Sequence, residues 1–130
     1  MGDNAKAALL SATTMPRETV HVPELNESYI VQGLSAAGRD RLLKEATAGR
    51  GKKARIDMKR LRTLGVARGV VNEDGSRMFS DAEAAQLEKV RSDVVERIFE
   101  VFAKLSGLVE MNEEASGDEG EVEGDGGKKE

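Results

Sequence analysis

The spacing of apolar residues along the chain changes period, and its first part predicts strands. Val20 and Val22 alternate with polar residues, and Tyr29 to Val31 form a second β-prone run. Between the two runs, the residues around Asn26 supply turn chemistry. The pattern over residues 19–34 therefore predicts a two-stranded hairpin, which must lie against an apolar surface because an isolated hairpin is only marginally stable.

The next part of the chain has helical spacing and predicts two short helices. Ser35 is a suitable N-cap for an amphipathic helix over Ala36–Ala48, which we expect to end at Gly49. The apolar residues that follow predict a second helix from about Ala54 to Leu64, closed by Gly65.

The third part predicts a second hairpin and then a long helix. Residues 66–79 return to β-prone character around Asp74-Gly75, a pair that favours a tight turn. Ser80 and Glu83 have the spacing of a capping box, which predicts that a helix begins at Ser80. Its apolar residues step by three or four and keep to one face for about six turns. They are Leu87, Val90, Val94, Ile98, Val101, Leu105 and Leu108, with Phe99 and Phe102 widening the stripe.

These elements predict a mainly α fold, α+β with minor β, that contains about three helices and one or two short β-hairpins. We expect a flexible N-terminus over residues 1–16 and a single mainly helical domain over residues 17–108. Residues 109–130 are rich in glycine and acids, and the nine acids against two lysines after Val109 give a net charge of −7. With so few apolar residues this tail is expected to be disordered, and the rest of the chain is weakly basic.

Composition argues against several kinds of chemistry. The chain has no cysteine, which excludes disulfides, thiolate metal sites and a cysteine nucleophile. No apolar run approaches the roughly 20 residues of a membrane span, so we expect a soluble intracellular protein with no membrane partner. His21 is the only histidine and has no partner in a recognisable catalytic motif, and residues 72–75 and 49–53 lack the full calcium-loop and phosphate-loop patterns. We therefore expect no enzymatic activity, no metal and no cofactor.

One stretch is strongly basic and leaves a second function open. Its positive residues are Arg50, Lys52, Lys53, Arg55, Lys59, Arg60 and Arg62. Such a patch could bind nucleic acid, which would make the chain a small helical nucleic-acid-binding or regulatory protein. No aromatic residue is interleaved for base stacking, so a solvated helix face, or an intramolecular partner for the acidic tail, is favoured over nucleic acid. An acidic protein partner is a competing use.

Three segments together carry a family resemblance. The helix start over Leu34 to Leu42, the turn and Phe-Ser-Asp unit over Val70 to Asp81, and the Leu-Ser-Gly-Leu ending over Leu105 to Leu108 occur in this order. In this arrangement the chain resembles the tail assembly chaperones of long-tailed, siphovirus-type bacteriophages. The hairpin-then-helix unit is the most specific part of the resemblance.

The resemblance implies a non-catalytic protein that binds the phage tape measure protein and keeps it soluble while the tail tube assembles. It implies a place in the host bacterial cytoplasm and absence from the mature virion, with the tail tube protein and self-association as further partner candidates. An apolar helix face could bind a client helix in this role, although plain intramolecular packing is the alternative at each position. The candidate residues are Val94, Ile98, Phe99, Val101, Phe102 and Leu105.

The resemblance also implies a feature of the gene. Chaperones of this family are commonly made as a short form and, by ribosomal frameshifting, as a longer form whose extension binds the client. Gly127-Lys128 can be encoded by a slippery purine run. We therefore expect a programmed frameshift there, with this chain as the short form.

Overall fold

A computed structural model describes residues 2–108, with side chains from Asn4 onward. The predicted disordered tail lies outside the described residues. The helices are α1 (Gly2–Leu10), α2 (Ala36–Glu45), α3 (Met58–Gly69) and α4 (Ser92–Ser106), with 3-10 segments at Gly51–Lys53 and Asp81–Lys89. The strands are β1 (Arg17–Val22), β2 (Glu27–Gln32), β3 (Thr47–Ala48), β4 (Arg55–Ile56) and β5 (Val70–Val71).

A three-stranded antiparallel sheet has the order β1-β2-β5. The predicted first hairpin is confirmed: Val20 pairs with Tyr29, and Asn26 has a positive φ of 54° in the turn. Val20 and Val22 are buried while the residue between them is exposed, as the alternating pattern requires. The sheet therefore presents one apolar face, and α4 packs against β1 and β2.

The second predicted hairpin is shorter than expected. Residues 66–69 belong to α3, and only Val70–Val71 form a strand, which pairs with β2. The turn at Gly75 has the expected positive φ of 91°, and the returning chain adds a single bridge between Val71 and Arg77. The local turn chemistry is thus confirmed, while most of the strand pairing is made with a distant segment.

Helix α2 begins as predicted, because the Ser35 hydroxyl accepts a hydrogen bond from the amide of Gly38 at 3.1 Å. It ends earlier than predicted, at Glu45, where a short hairpin of β3 and β4 follows. That hairpin occupies the segment in which the second helix was expected to begin.

The bounds predicted for α3 were wrong. The helix begins at Met58 after the Asp57 cap and continues through Gly65 to Gly69. A Cβ atom at Gly65 would lie 2.8 Å from the Phe102 ring, and one at Gly69 would lie 2.4 Å from it. Gly65 therefore allows close packing between α3 and α4. From the sequence alone, this glycine is predicted to end the helix.

The single long helix predicted from Ser80 is in fact two segments. The Ser80 and Glu83 capping box is present, with hydrogen bonds of 3.2 and 2.8 Å, but it opens a 3-10 helix that ends at Lys89. The backbone is extended at Val90, and α4 then begins at Ser92. The apolar stripe from Leu87 to Leu108 is consequently broken at Val90.

The core lies between the sheet, α3 and α4. The residues buried in it are spread along the chain, the first being Val20 and the last Leu108. Gly107 caps the end of helix α4 with a positive φ of 74°, and the amide of the buried Leu108 donates to the carbonyl of Ala103 at 2.8 Å. The fold class is α+β with mostly helix, as predicted. Helix α1 was not predicted, and its residues from Asn4 to Leu10 are exposed.

Candidate functional site

An apolar pocket of about 170 Å³ opens beside the break that precedes α4. The turn of the first hairpin, α3, β5, the 3-10 helix and α4 all contribute side chains to it. Its lining residues are Leu25, Tyr29, Val66, Val70, Phe79, Leu87, Val90, Val94, Val95 and Ile98. Because these side chains are apolar apart from the Tyr29 hydroxyl, the pocket is suited to hydrocarbon rather than to a polar ligand.

A second pocket of about 210 Å³ adjoins the first. The two share Leu87, Val90 and Val95, so we describe them together as the Val90 groove. The second pocket is more polar: Lys59 Nζ lies 3.7 Å from Glu88 Oε1 at its edge, and Arg62 pairs with Glu96 at 3.8 Å. Its other lining residues are Thr63 and Ser92.

The groove exists because the apolar stripe is interrupted. Val90 has an extended backbone between two helical segments, and its side chain is 40% exposed instead of packed in the core. The turn between β1 and β2 leaves another lining residue, Leu25, 48% exposed. Two exposed aliphatic side chains thus border an apolar pocket and leave apolar surface open at its mouth.

Charged pairs lie next to this apolar surface. Arg97 donates two hydrogen bonds to the carboxylate of Glu24, at 2.6 and 2.9 Å, and this pair joins α4 to the hairpin turn beside Leu25. The hydrogen bonds from Arg97, together with a backbone hydrogen bond, hold the pKa of Glu24 at about 2. The pair therefore stays ionised at neutral pH and fixes this rim of the groove.

The six predicted client-binding residues do not lie on one surface of the structure. Val94 and Ile98 are buried but line the groove, while Phe99 and Phe102 lie in the core behind it. Val101 and Leu105 are half-buried and do not line the groove. A client at the groove would thus contact two of the six predicted residues, and Phe99 and Phe102 would become accessible only if α4 separated from α3.

The seven basic residues do not form one helix face. Lys59, Arg60 and Arg62 lie on α3 and have partners within the chain: Glu88, the carbonyl of Glu45, and Glu96. The other four lie on and around the β3–β4 hairpin: Arg50, Lys52, Lys53 and Arg55. The α3 residues therefore contact other parts of the fold, and the hairpin residues form a separate cluster.

His21 lies on β1 and is exposed, with its Nδ1 atom 3.1 Å from the Ser28 hydroxyl across the hairpin. This pair is on the surface and does not line the groove. Over residues 2–108 we find no group of three or more acids and histidines arranged to hold a metal. None of the helices in that range combines the length and apolar character needed to cross a bilayer.

Leu25 and Val90, two exposed aliphatic residues that border the groove, were not predicted as site residues from the sequence. The steps from Leu87 to Val90 and on to Val94 fit an unbroken helix, so periodicity alone conceals the break. Ser92-Asp93 is a common helix start and is the signal that could have shown a new helix beginning there. Nothing in the local sequence around Leu25 indicates that its side chain faces a pocket formed by other elements.

An open apolar groove framed by ion pairs has the chemistry that an apolar segment of another chain would need in order to bind. Comparisons with known proteins bear on the fold. No protein-family model matches the chain, and no curated protein matches it by sequence. A solved structure of the tail assembly chaperone of bacteriophage HK97 matches it with a TM-score of 0.52 at 18% sequence identity.

That match covers 81% of this chain and 95% of the HK97 chain. The chain therefore has the fold of a phage tail assembly chaperone, and the resemblance found in its sequence is confirmed.

Proposed function

We propose that the chain is a non-catalytic tail assembly chaperone that binds the tape measure protein of its phage and keeps it soluble during tail tube assembly. The observation that carries the proposal is the Val90 groove, an open apolar surface on a chain with the tail assembly chaperone fold. A tape measure protein is a long, largely helical and aggregation-prone chain. The apolar groove would bind the exposed apolar side chains of such a chain.

Binding would follow the helix-in-groove mode. An amphipathic client helix presents apolar side chains at spacings of three and four residues, and a large one would occupy the apolar pocket next to Val90 and Leu25. The flanking pairs, Glu24 with Arg97 and Lys59 with Glu88, would face polar residues at the edges of the client helix. The groove would therefore select an amphipathic helix over a wholly apolar one.

The size of the groove favours weak and reversible binding by each copy. Pockets of about 170 and 210 Å³ hold one or two large side chains, and burial of each contributes about 1.5 to 3 kcal/mol. Association itself costs at least about 4 kcal/mol. A long client would thus be covered by many weakly held copies, each of which could leave as tube subunits arrive.

Substitution of Val90 by aspartate tests the role of the groove. The exposed position of Val90 means that Val90→Asp should change the free energy of unfolding by about 1 kcal/mol or less, while it places a charge where a client side chain would be buried. We expect co-expression with the tape measure protein to yield mostly soluble client with the unsubstituted chain and several-fold less with Val90→Asp.

Met78→Asp is the matched control. Met78 is 41% exposed, nearly the same as Val90, but does not line the groove. This variant should keep the client as soluble as the unsubstituted chain does. A client that is equally soluble with Val90→Asp would contradict the site, and a client that the unsubstituted chain leaves insoluble would contradict the function.

We also propose that this chain is the short form of a frameshifted pair, as the family resemblance implies. Gly127-Lys128, the expected slippage site, lies outside the described residues, and the proposal is tested on the gene. We expect codons that form a slippery purine run at Gly127-Lys128 and an overlapping frame that continues past them. Codons that do not permit slippage, with no overlapping frame, would contradict it.

The remaining partner expectations belong to this proposal. The tail tube protein and a second copy of the chain are further candidate partners, and the chaperone would act in the host cytoplasm and be absent from the finished virion. Nucleic-acid binding is less favoured, because Lys59, Arg60 and Arg62 already have partners within the chain. A shift of random-sequence DNA that is sensitive to salt would favour it instead.

A further inference from the structure

The β3–β4 hairpin carries a dense cluster of positive charge. Four cations fall within six consecutive positions: Arg50, Lys52, Lys53 and Arg55. All four are exposed, and among residues 2–108 no carboxylate lies within 4.0 Å of any of them. This basic hairpin therefore differs from the basic residues of α3, which have partners within the chain.

The backbone of the basic hairpin is closely defined. Thr47 pairs with Ile56 and Ala48 pairs with Arg55, while Gly49 and Gly51 have positive φ values of 88° and 57°. A Cβ atom at Gly49 would lie 2.6 Å from the carbonyl oxygen of Lys53, so the loop closes tightly there. The four cations are consequently held together on one small projection, which suits an anionic partner with several charges.

We propose that the acidic residues 118–125 of the same chain bind this basic hairpin. The segment contains five acids and no cation within eight positions, and its acids are Asp118, Glu119, Glu121, Glu123 and Asp125. The five negative charges of the segment and the four positive charges of the hairpin are complementary. The two stretches are also similar in length, at eight and six residues. The segment lies beyond the described residues, and its charge is complementary to that of the hairpin.

The path from the end of α4 permits this contact. The amide of Leu34 donates to the Ser106 hydroxyl at 3.1 Å, so the end of α4 lies beside the start of α2. Helix α2 is about 15 Å long at 1.5 Å per residue, and the basic hairpin follows it. Nine residues separate Leu108 from Asp118, and an extended chain of that length reaches about 30 Å. The connecting chain is therefore long enough for the acids to contact the hairpin without any rearrangement of the domain.

The covalent tether favours the tail over other anions. A short flexible connection gives an effective concentration in the millimolar range, whereas each exposed ion pair is weak and screened by salt. Several such pairs acting together would occupy the hairpin at moderate ionic strength and leave it open at high ionic strength. The tail would thereby keep nucleic acid and other polyanions of the host away from the basic hairpin.

A spin label on the tail tests the contact in the full-length chain. Because the chain has no cysteine, Gly120→Cys gives a single attachment site between the acids. We expect selective broadening of the amide signals of residues 50–55 at about 20 mM salt, and loss of most of it at about 500 mM. The broadening should also disappear when the five acids of residues 118–125 are changed to Asn and Gln.

Neutralising Glu110, Glu113 and Glu114 is the control, since these acids lie closer to the domain and should leave the broadening in place. Uniform or absent broadening at low salt would overturn the proposal. So would equal broadening when labelled and isotopically enriched chains are separate molecules, because the partner would then be a second copy. On addition of random-sequence DNA at about 150 mM salt, shifts of the hairpin amides that are as large in the unsubstituted chain as in the chain with its five acids neutralised would also overturn it, since the acids would then not occupy the hairpin.

Discussion

Phe102 explains why two glycines occupy the middle and end of α3. Its side chain is completely buried, and a Cβ atom at either Gly65 or Gly69 would enter the space of its ring. The Phe99 ring lies beside it, with the ring centroids 6.1 Å apart. The glycines weaken the helix locally, but they allow an aromatic ring to pack directly against its backbone.

Gly69→Ala should therefore destabilise the fold. The new methyl group would lie 2.4 Å from Phe102 Cδ1, and a buried ring cannot move aside without disturbing its neighbours. We expect the free energy of unfolding to fall by about 1 to 3 kcal/mol, measured by denaturant unfolding.

Gly38→Ala is the control within the same chain. Gly38 lies in α2, and its nearest neighbour to a new Cβ atom would be 3.4 Å away, an ordinary contact. This variant should leave the stability unchanged or raise it by up to about 1 kcal/mol, because alanine favours helix over glycine. Equal effects of the two substitutions would show that close packing at Phe102 is not what requires glycine.

Residue-scale signals that act locally could be predicted from the sequence, and those that depend on distant contacts could not. The Ser35 cap, the Ser80 capping box and the Asp74-Gly75 turn are all present, because each is decided by neighbours within a few positions. Gly65 was misread as a helix end because Phe102, the residue that requires glycine there, is 37 positions away in the chain.

At the scale of elements, Arg68 holds three segments together. Its guanidinium on α3 donates to Asp81, at the start of the 3-10 helix, at 3.2 and 3.0 Å, and it also pairs with Glu45 at the end of α2. Arg77 donates to the same aspartate at 2.8 Å. Hydrogen bonds from Arg68 and then Arg77 lower the pKa of Asp81 to about 2.

This network predicts a defined pH dependence of stability. Because the folded state lowers the pKa of Asp81 from its ordinary value of 3.8, the ionised carboxylate stabilises the fold above about pH 4 to 5. That stabilisation is lost as the pH falls towards 2. Asp81→Asn should cost about 1 kcal/mol or less at neutral pH, since the carboxylate is half exposed, and the difference from the unsubstituted chain should close between about pH 5 and 2.

Asp40→Asn is the matched control, because Asp40 is more exposed and its only ion pair in the described part of the chain is a 3.9 Å contact with Arg39. Unfolding curves recorded by circular dichroism at several pH values would measure both variants. Parallel pH profiles for Asp81→Asn and the unsubstituted chain over this interval would contradict the role given to Asp81.

The order and kind of most elements could be predicted, but the break at Val90 could not. A 3-10 helix followed by an α-helix presents apolar residues at the same steps of three and four as one continuous helix. The choice between them rests on how Asp81–Lys89 packs against α3, which is a tertiary contact. Because the chain breaks at Val90 instead of continuing as one helix, a groove forms at the start of α4.

At the scale of the whole molecule, the chain combines a buried core with two surfaces that we propose bind their partners by different interactions. The Val90 groove is apolar and suits a client helix, while the basic hairpin is charged and suits an acidic segment. The basic residues and two residues of the groove, Val94 and Ile98, could be located from the sequence, which left client binding and core packing open for the apolar face of the last helix. Most of α4's apolar face packs against α3 and the sheet.

The central claim is that the chain holds its client at the Val90 groove, and hydrogen exchange of the complex with the tape measure protein tests it most directly. We predict that client binding slows amide exchange in residues 22–29 and 86–97, which border the groove, and leaves the β3–β4 hairpin and α1 unchanged. Slower exchange confined to those other segments, or no change anywhere in the chain, would contradict the account.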